Sequence, residues 1–243
     1  MFRLTINGTP FECPAGTLLL QALQTAGASV PHLCHDDRLK PYGGCRLCLM
    51  EIDGEARPVA SCAAEVRDGM VVRTNSPALQ ALRKTNLGLL ARFYPAEALA
   101  SEPQHPLHLL FSEYGVSPCR SDFSPTAALP GQADGSVGLK PDLQKPVFRD
   151  DSHPYLGVDM SRCIHCNRCV RICDEVQGQN VWAVWGRGES THVAPANGNT
   201  LIEGGCVSCG ACVDSCPSGA LFDKRSQLTV EKWTRSTCVY WGS

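Results

Sequence analysis

Long apolar runs are missing from this 243-residue chain. No stretch approaches the roughly 18 apolar residues that a membrane-spanning helix needs, so direct membrane insertion is not expected. The N-terminus shows no secretory h-region, because Met1-Phe2-Arg3 runs straight into a strand-like Leu4-Thr5-Ile6 and an Asn7-Gly8 turn. Large aromatics are scarce at 7%, against 22 glycines and 17 prolines, which suits small modules better than one broad apolar core. With a formal charge of −2 the chain lacks the concentrated basic face that phosphate binding requires, and nucleic acid is not an expected partner. No G-x-G-x-x-G or P-loop run is present to cradle a nucleotide.

Cysteine is what the chain has in quantity. Twelve of its 15 cysteines fall into three groups: Cys34, Cys45, Cys48 and Cys62; Cys163, Cys166, Cys169 and Cys173; and Cys206, Cys209, Cys212 and Cys216. The third group repeats the C-x2-C-x2-C-x3-C spacing of the second, 43 residues later. Disulfides, zinc sites and redox clusters are the alternatives for such a set. Without a secretory leader a cytoplasmic setting is expected, where thiols stay reduced and available as ligands. Zinc ribbons use two well-separated C-x2-C pairs, whereas these runs hold four cysteines each, so zinc is the weaker alternative.

In the repeated spacing the fourth cysteine of each run ligates the other run's cluster. One [4Fe-4S] cluster is then expected on Cys163, Cys166, Cys169 and Cys216, and a second on Cys206, Cys209, Cys212 and Cys173. The Cys-Pro step of such runs is present at Cys216-Pro217, whereas Cys173 is followed by Asp174. The first group, C-x10-C-x2-C-x13-C, departs from plant-type spacing but places Gly43-Gly44 before Cys45 and Cys48, where backbone N–H groups can approach sulfur. Four thiolates there imply one [2Fe-2S] cluster on Cys34, Cys45, Cys48 and Cys62. Arg46, Arg162, Arg168 and Arg171 lie in or beside the runs, either as cations that moderate cluster charge or as solvated and partner-contacting residues. Cys13 reads as a small buried strand residue, and Cys119 and Cys238 are left over.

The fold class expected is α+β. Residues 1–77 read as a β-grasp ferredoxin domain: Phe2–Ile6 and Thr9–Cys13 as a hairpin, and a helix capped by Thr17 and stopped near Gly27. Leu47–Ile52 and Glu55–Ala60 follow as a second hairpin through Asp53-Gly54, and Met70–Thr74 as a last strand. Residues 78–150 read as a linker. Its helix begins near Pro77, with Leu79, Leu82, Asn86, Leu89, Leu90 and Phe93 on or beside one face and a stop at Pro95; an extended Gly115–Asp150 stretch follows. Residues 151–225 read as a 2[4Fe-4S] ferredoxin domain with an inserted hairpin, Val181–Trp185 and Thr191–Ala194 through Gly186-Arg187-Gly188, and residues 226–243 as a tail.

Gly44-Cys45-Arg46-Leu47-Cys48-Leu49-Met50-Glu51-Ile52 resembles the [2Fe-2S] loop of three related families. These are the NAD-dependent formate dehydrogenase α subunit, the diaphorase γ subunit of NAD-reducing hydrogenases, and the large iron–sulfur subunit of complex I. The run from Cys163 to Gly178, with its Glu175-Val176-Gln177-Gly178 end, resembles the formate dehydrogenase version in particular. Those families carry a further [4Fe-4S] site of one His and three Cys between the two modules. Here the matching segment His105–Val116 has lost its cysteines, so the resemblance implies three clusters and leaves His105 and His108 without a ligand role. Thr237-Cys238-Val239-Tyr240-Trp241-Gly242 resembles the opening of a molybdopterin domain with Trp241 in place of a cysteine. The resemblance implies an electron-transfer subunit without catalytic residues of its own. Its implied partners are a Mo/W-pterin formate dehydrogenase catalytic subunit on another chain and an FMN/NAD-binding diaphorase-type subunit. A hydrogenase diaphorase subunit, a free ferredoxin and a zinc-stabilised scaffold are the competing readings.

Overall fold

The computed structural model describes residues 1–118 and 147–225. Phe2–Ile6 (β1) and Thr9–Cys13 (β2) pair as an antiparallel hairpin, and its turn takes the two positive φ angles that a tight connection demands, 49° at Asn7 and 85° at Gly8. Leu19–Thr25 (α1) then buries Leu19, Leu20, Ala22 and Leu23 against the sheet. Thr17 does not cap it. Its Oγ1 donates to the Pro14 carbonyl at 2.8 Å, because the backbone from Thr17 to Leu19 is tied to Ala64 and Val66, which delays the helix start.

Leu49–Ile52 (β3), Val59–Ala60 (β4) and Met70–Arg73 (β5) complete a sheet of order β2-β1-β5-β3-β4, in which β5 runs parallel to β1. The second hairpin is shorter than its sequence pattern. A turn forms at Gly54, but only Leu49↔Ala60 and Met50↔Val59 pair, since Pro58 has no N–H for a ladder and Leu47 belongs to the cysteine loop. Cys13 is buried in this core, as expected.

Ser76 caps Pro77–Ala91 (α2), accepting from the Leu79 N–H at 3.2 Å. Its buried face is Leu79, Arg83, Leu87 and Ala91, whereas Leu82, Leu89 and Phe93, read by periodicity as on or beside one face with Leu79, are exposed. An apolar pattern passes over Arg83, yet its guanidinium donates to the carbonyls of Leu47, Leu49 and Thr74 at 2.8–3.1 Å and so turns the helix toward the cysteine loop. Two further helices, Ala96–Ser101 (α3) and Pro106–Glu113 (α4), follow between Pro95 and Gly115, where the sequence pattern assigned no element. Leu87, Tyr94, Leu107 and Phe111 pack there with Leu33, Leu47 and Ile164 into a core shared by both halves of the molecule.

In the second half, Arg149–Asp150 (β6), Leu156–Asp159 (β7) and Leu221–Asp223 (β10) form an antiparallel sheet of order β10-β7-β6. These strands flank the cysteine runs and are too short to stand out by alternation. Between them, Trp182–Trp185 (β8) pairs with His192–Pro195 (β9) as the expected hairpin. Arg168–Arg171 (α5) and Ala211–Ser215 (α6) supply a short helical turn within each run, carrying its third cysteine, and Ile172–Val176 continues α5 as a π-helical turn. Among the described residues no helix is long and apolar enough to cross a membrane.

Candidate metal centres

The thirteen cysteines among the described residues are free thiols, and twelve of them gather as three sets. In the first, sulfur contacts run Cys45–Cys34–Cys62–Cys48, and the Cys45 N–H points at Cys34 Sγ at 3.3 Å. The Gly44 N–H also serves Cys34, and a side chain at Gly44 would collide with the Tyr42 ring. In the second set Cys163, Cys166, Cys169 and Cys216 interact with one another. In the third, Cys206, Cys209 and Cys212 are joined by Cys173, and these four line a cavity with apolar Leu156 and Val181. Cys216 thus lies with the second set and Cys173 with the third. Among the described residues, no three His, Cys, Asp or Glu side chains are placed to hold a single metal ion.

The 43-residue repeat survives as backbone geometry. His165 and Ser208 hold φ near 55° and 59°, Asn167 and Gly210 near 60° and 75°, and α5 and α6 begin 43 positions apart. In these loops an N–H two residues after a cysteine meets its sulfur. His165 N reaches Cys163 Sγ at 3.4 Å and Ser208 N reaches Cys206 Sγ at 3.5 Å, while Arg168 N serves Cys166 and Leu47 N serves Cys45. Val181 N adds a 3.4 Å contact to Cys173 Sγ. Amide dipoles aimed at sulfur stabilise thiolate and cluster charge.

Burial pushes the Cys166 and Cys212 thiols up to about 12 and Cys169 well above its usual range. A side-chain hydrogen bond from Cys62 holds Cys48 near 6, and one from Cys45, with a second from Cys62, pulls Cys34 down against burial. Iron binding would have to displace protons from the buried thiols, and its charge would offset their desolvation. Cysteine donor sets, N–H groups aimed at sulfur and a thiol-lined cavity are what iron–sulfur clusters require, so the residues fit the cofactors.

Of the four arginines, Arg168 donates to Asp36, Leu33 and Ser215, Arg171 pairs with Glu175 and reaches the Lys40 carbonyl, and Arg162 pairs with Glu102 at 2.5 Å. Arg46 contributes through its backbone, with φ 56° and a carbonyl bonded by Asn86. A hydrogen bond from Arg38 holds Asp36 well below the usual carboxylate range against burial, and Arg168 adds to it. His105 caps α4, its Nδ1 accepting from Leu107 N, while buried His108 lies between Tyr94 Oη at 2.8 Å and the Glu102 carbonyl at 2.7 Å. Tyr94 Oη donates in turn to the Ser218 carbonyl at 3.1 Å, beside Cys216. Sequence reasoning missed Asp36, Arg83 and Tyr94; only Asp36, two residues from Cys34, carried a local signal. Cys119, Cys238 and Trp241 lie outside the described residues.

A β-sheet with a parallel closing strand around one four-thiol loop, followed by a pseudo-repeated pair of such loops, defines a two-module iron–sulfur protein. Residues 1–77 match the 2Fe-2S iron-sulfur cluster binding domain, and residues 153–222 the ferredoxin-like domain of NADH-quinone oxidoreductase subunit 3. Over 237 residues the chain is 30% identical to subunit alpha of the NADPH-Fe(3+) oxidoreductase of Geobacter sulfurreducens, covering 98% of this chain and 26% of that protein. It is also 30% identical, over 233 residues, to the mitochondrial NADH-ubiquinone oxidoreductase 78 kDa subunit of Neurospora crassa, covering 95% of this chain and 29% of the relative. The chain thus spans less than a third of the length of these curated relatives. A chain in the solved structure of an NAD+-reducing [NiFe]-hydrogenase superposes with a TM-score of 0.71 at 28% identity, covering 94% of this chain and 90% of that one.

Proposed function

We propose that this chain is the electron-relay iron–sulfur unit of an NAD(P)-linked oxidoreductase complex. It would hold one [2Fe-2S] cluster on Cys34, Cys45, Cys48 and Cys62 and two [4Fe-4S] clusters on the crossed sets of the second module. The observation that supports this best is the grouping of twelve thiols into three sets on one packed unit, with Cys45 of the first set and Cys166 of the second against the same apolar core. When bound, such clusters supply reversible one-electron transfer. The chain's own residues bury the ligand thiols, aim N–H groups at sulfur and hold the two modules in register through paired charges.

For the catalytic partner we favour a Mo/W-pterin formate dehydrogenase unit, and for the other an FMN/NAD-binding unit, both in the cytoplasm. The Cys163–Gly178 run and the Thr237–Gly242 segment support that choice. A hydrogenase diaphorase role is the second reading, favoured by the near-complete mutual coverage with the hydrogenase chain. Purifying the native complex and measuring molybdenum, tungsten and nickel decides between them. Formate-dependent NAD(P)+ reduction with molybdenum or tungsten is the expected result; nickel with hydrogen-dependent reduction would sink the formate assignment.

A further inference from the structure

One side chain reaches from the second thiol set into the loop of the first. Arg168 sits between Cys166 and Cys169, directly after left-handed Asn167, and its guanidinium leaves its own module. Nη2 donates to Asp36 Oδ2 at 2.7 Å, Nη1 to the Leu33 carbonyl at 3.3 Å, and Nε to Ser215 Oγ at 3.2 Å. Leu33 and Asp36 flank Cys34, a thiol of the first set, and Ser215 precedes Cys216, a thiol of the second. A planar fork with fixed donor directions reads relative position in a way that a flexible ammonium cannot.

Asp36 is the buried centre of this charge cluster, which opens to solvent on the side of Arg38 and Asp214. Asp36 is 6% and Arg168 16% exposed at the side chain, and Arg38 binds both Asp36 oxygens and also Asp214. Two cations and two anions thus balance between the thiol sets. Removing the Arg168 charge would leave a net negative charge centred on largely buried Asp36, where added electrons are repelled more strongly than in bulk water. Asp36 would still be paired with Arg38, so the loss need not unfold the site.

We propose that Arg168 is a positioning residue for electron exchange between the Cys34/Cys45/Cys48/Cys62 site and the Cys163/Cys166/Cys169/Cys216 site, setting their separation and keeping both potentials high enough to exchange. This rests on the iron–sulfur reading above. The step it serves moves one electron, oxidising one site as it reduces the other, with no bond made or broken. The electron enters from the reduced nicotinamide or from the catalytic partner, according to direction.

The test uses the intact complex, purified anaerobically, with Arg168→Gln, Arg168→Lys and Asp36→Asn variants. Electron paramagnetic resonance during redox titration reads each potential, and rapid-freeze reduction reads the exchange rate. Arg168→Gln is expected to lower the potentials of both sites and slow exchange severalfold. Arg168→Lys keeps the charge, so potentials should stay near wild type while exchange slows. Asp36→Asn, which retains Arg168, should raise both potentials, and it tests the electrostatic part even where an Arg168 variant loses its iron. Unchanged potentials and rates in an iron-replete Arg168→Gln protein, or unchanged or lowered potentials in Asp36→Asn, overturn the proposal alone. Absence of iron–sulfur signals in the wild-type complex overturns the underlying reading, and this proposal with it.

Discussion

Arg83 carries a charge into the core at 3% exposure and meets the carbonyls of Leu47 and Leu49, on either side of Cys48, together with that of Thr74. Replacing it with Met would leave those carbonyls without a donor, at a cost of about 2–5 kcal/mol. Urea titration of the iron-loaded Arg83→Met protein should show an earlier midpoint, with the visible absorbance of the first module lost in the same transition. Tyr94 is a milder case. Tyr94→Phe removes the hydroxyl linking His108 to the Ser218 carbonyl and should cost about 1–3 kcal/mol. Hydrogen exchange should localise the loosening to α4 and the Cys216 loop, leaving the strands of the first sheet protected.

At the scale of elements, the two cysteine runs are one device used twice: a left-handed residue, an N–H aimed at sulfur, then a short helix. A β-branched residue at positive φ is strained by about 1–3 kcal/mol, whereas glycine adopts it freely. His165→Val and Ser208→Val should therefore lower iron and acid-labile sulfide per chain, while His165→Gly and Ser208→Gly retain both. The crossed sets make a sharper forecast. Cys173→Ser should remove the same resonance signal as Cys206→Ser, and Cys216→Ser the same as Cys163→Ser. Pairing of Cys173→Ser with Cys163→Ser would instead mean that each run holds its own cluster.

Across the whole molecule, charge pairs and one apolar core tie the modules together. Asp36 and Glu102 both bridge halves and both sit below the usual carboxylate range, each chiefly through an arginine hydrogen bond, from Arg38 and Arg162 respectively. Asp150 and Asp159 are lowered too: burial pushes each of them up, and hydrogen bonds outweigh it. A carboxylate with a depressed folded value contributes stability that is present above its unfolded pKa of about 4 and disappears as pH falls through the folded value. The intact protein should accordingly hold its compact radius in X-ray scattering between about pH 5 and 8, and its modules should separate only below about pH 4. Expansion already at pH 6 would contradict this.

The order of the two modules and the three thiol groups were legible in the sequence, because cysteine spacing is local and a 43-residue repeat is visible without a fold. So was the first hairpin, where Asn7-Gly8 admits few alternatives. The buried face of α2 was not, since the side chain that orients it is an arginine whose partners lie 9 to 36 residues away. Nor were α3, α4 and the strands β6, β7 and β10, which are short and stabilised by what they pack against. The thiol chemistry was thus written in the chain itself, residue by residue. Which loop faces which, and through what charges, was decided only when distant segments were buried together, because an ion pair between Asp36 and Arg168 leaves no mark on the letters around either one.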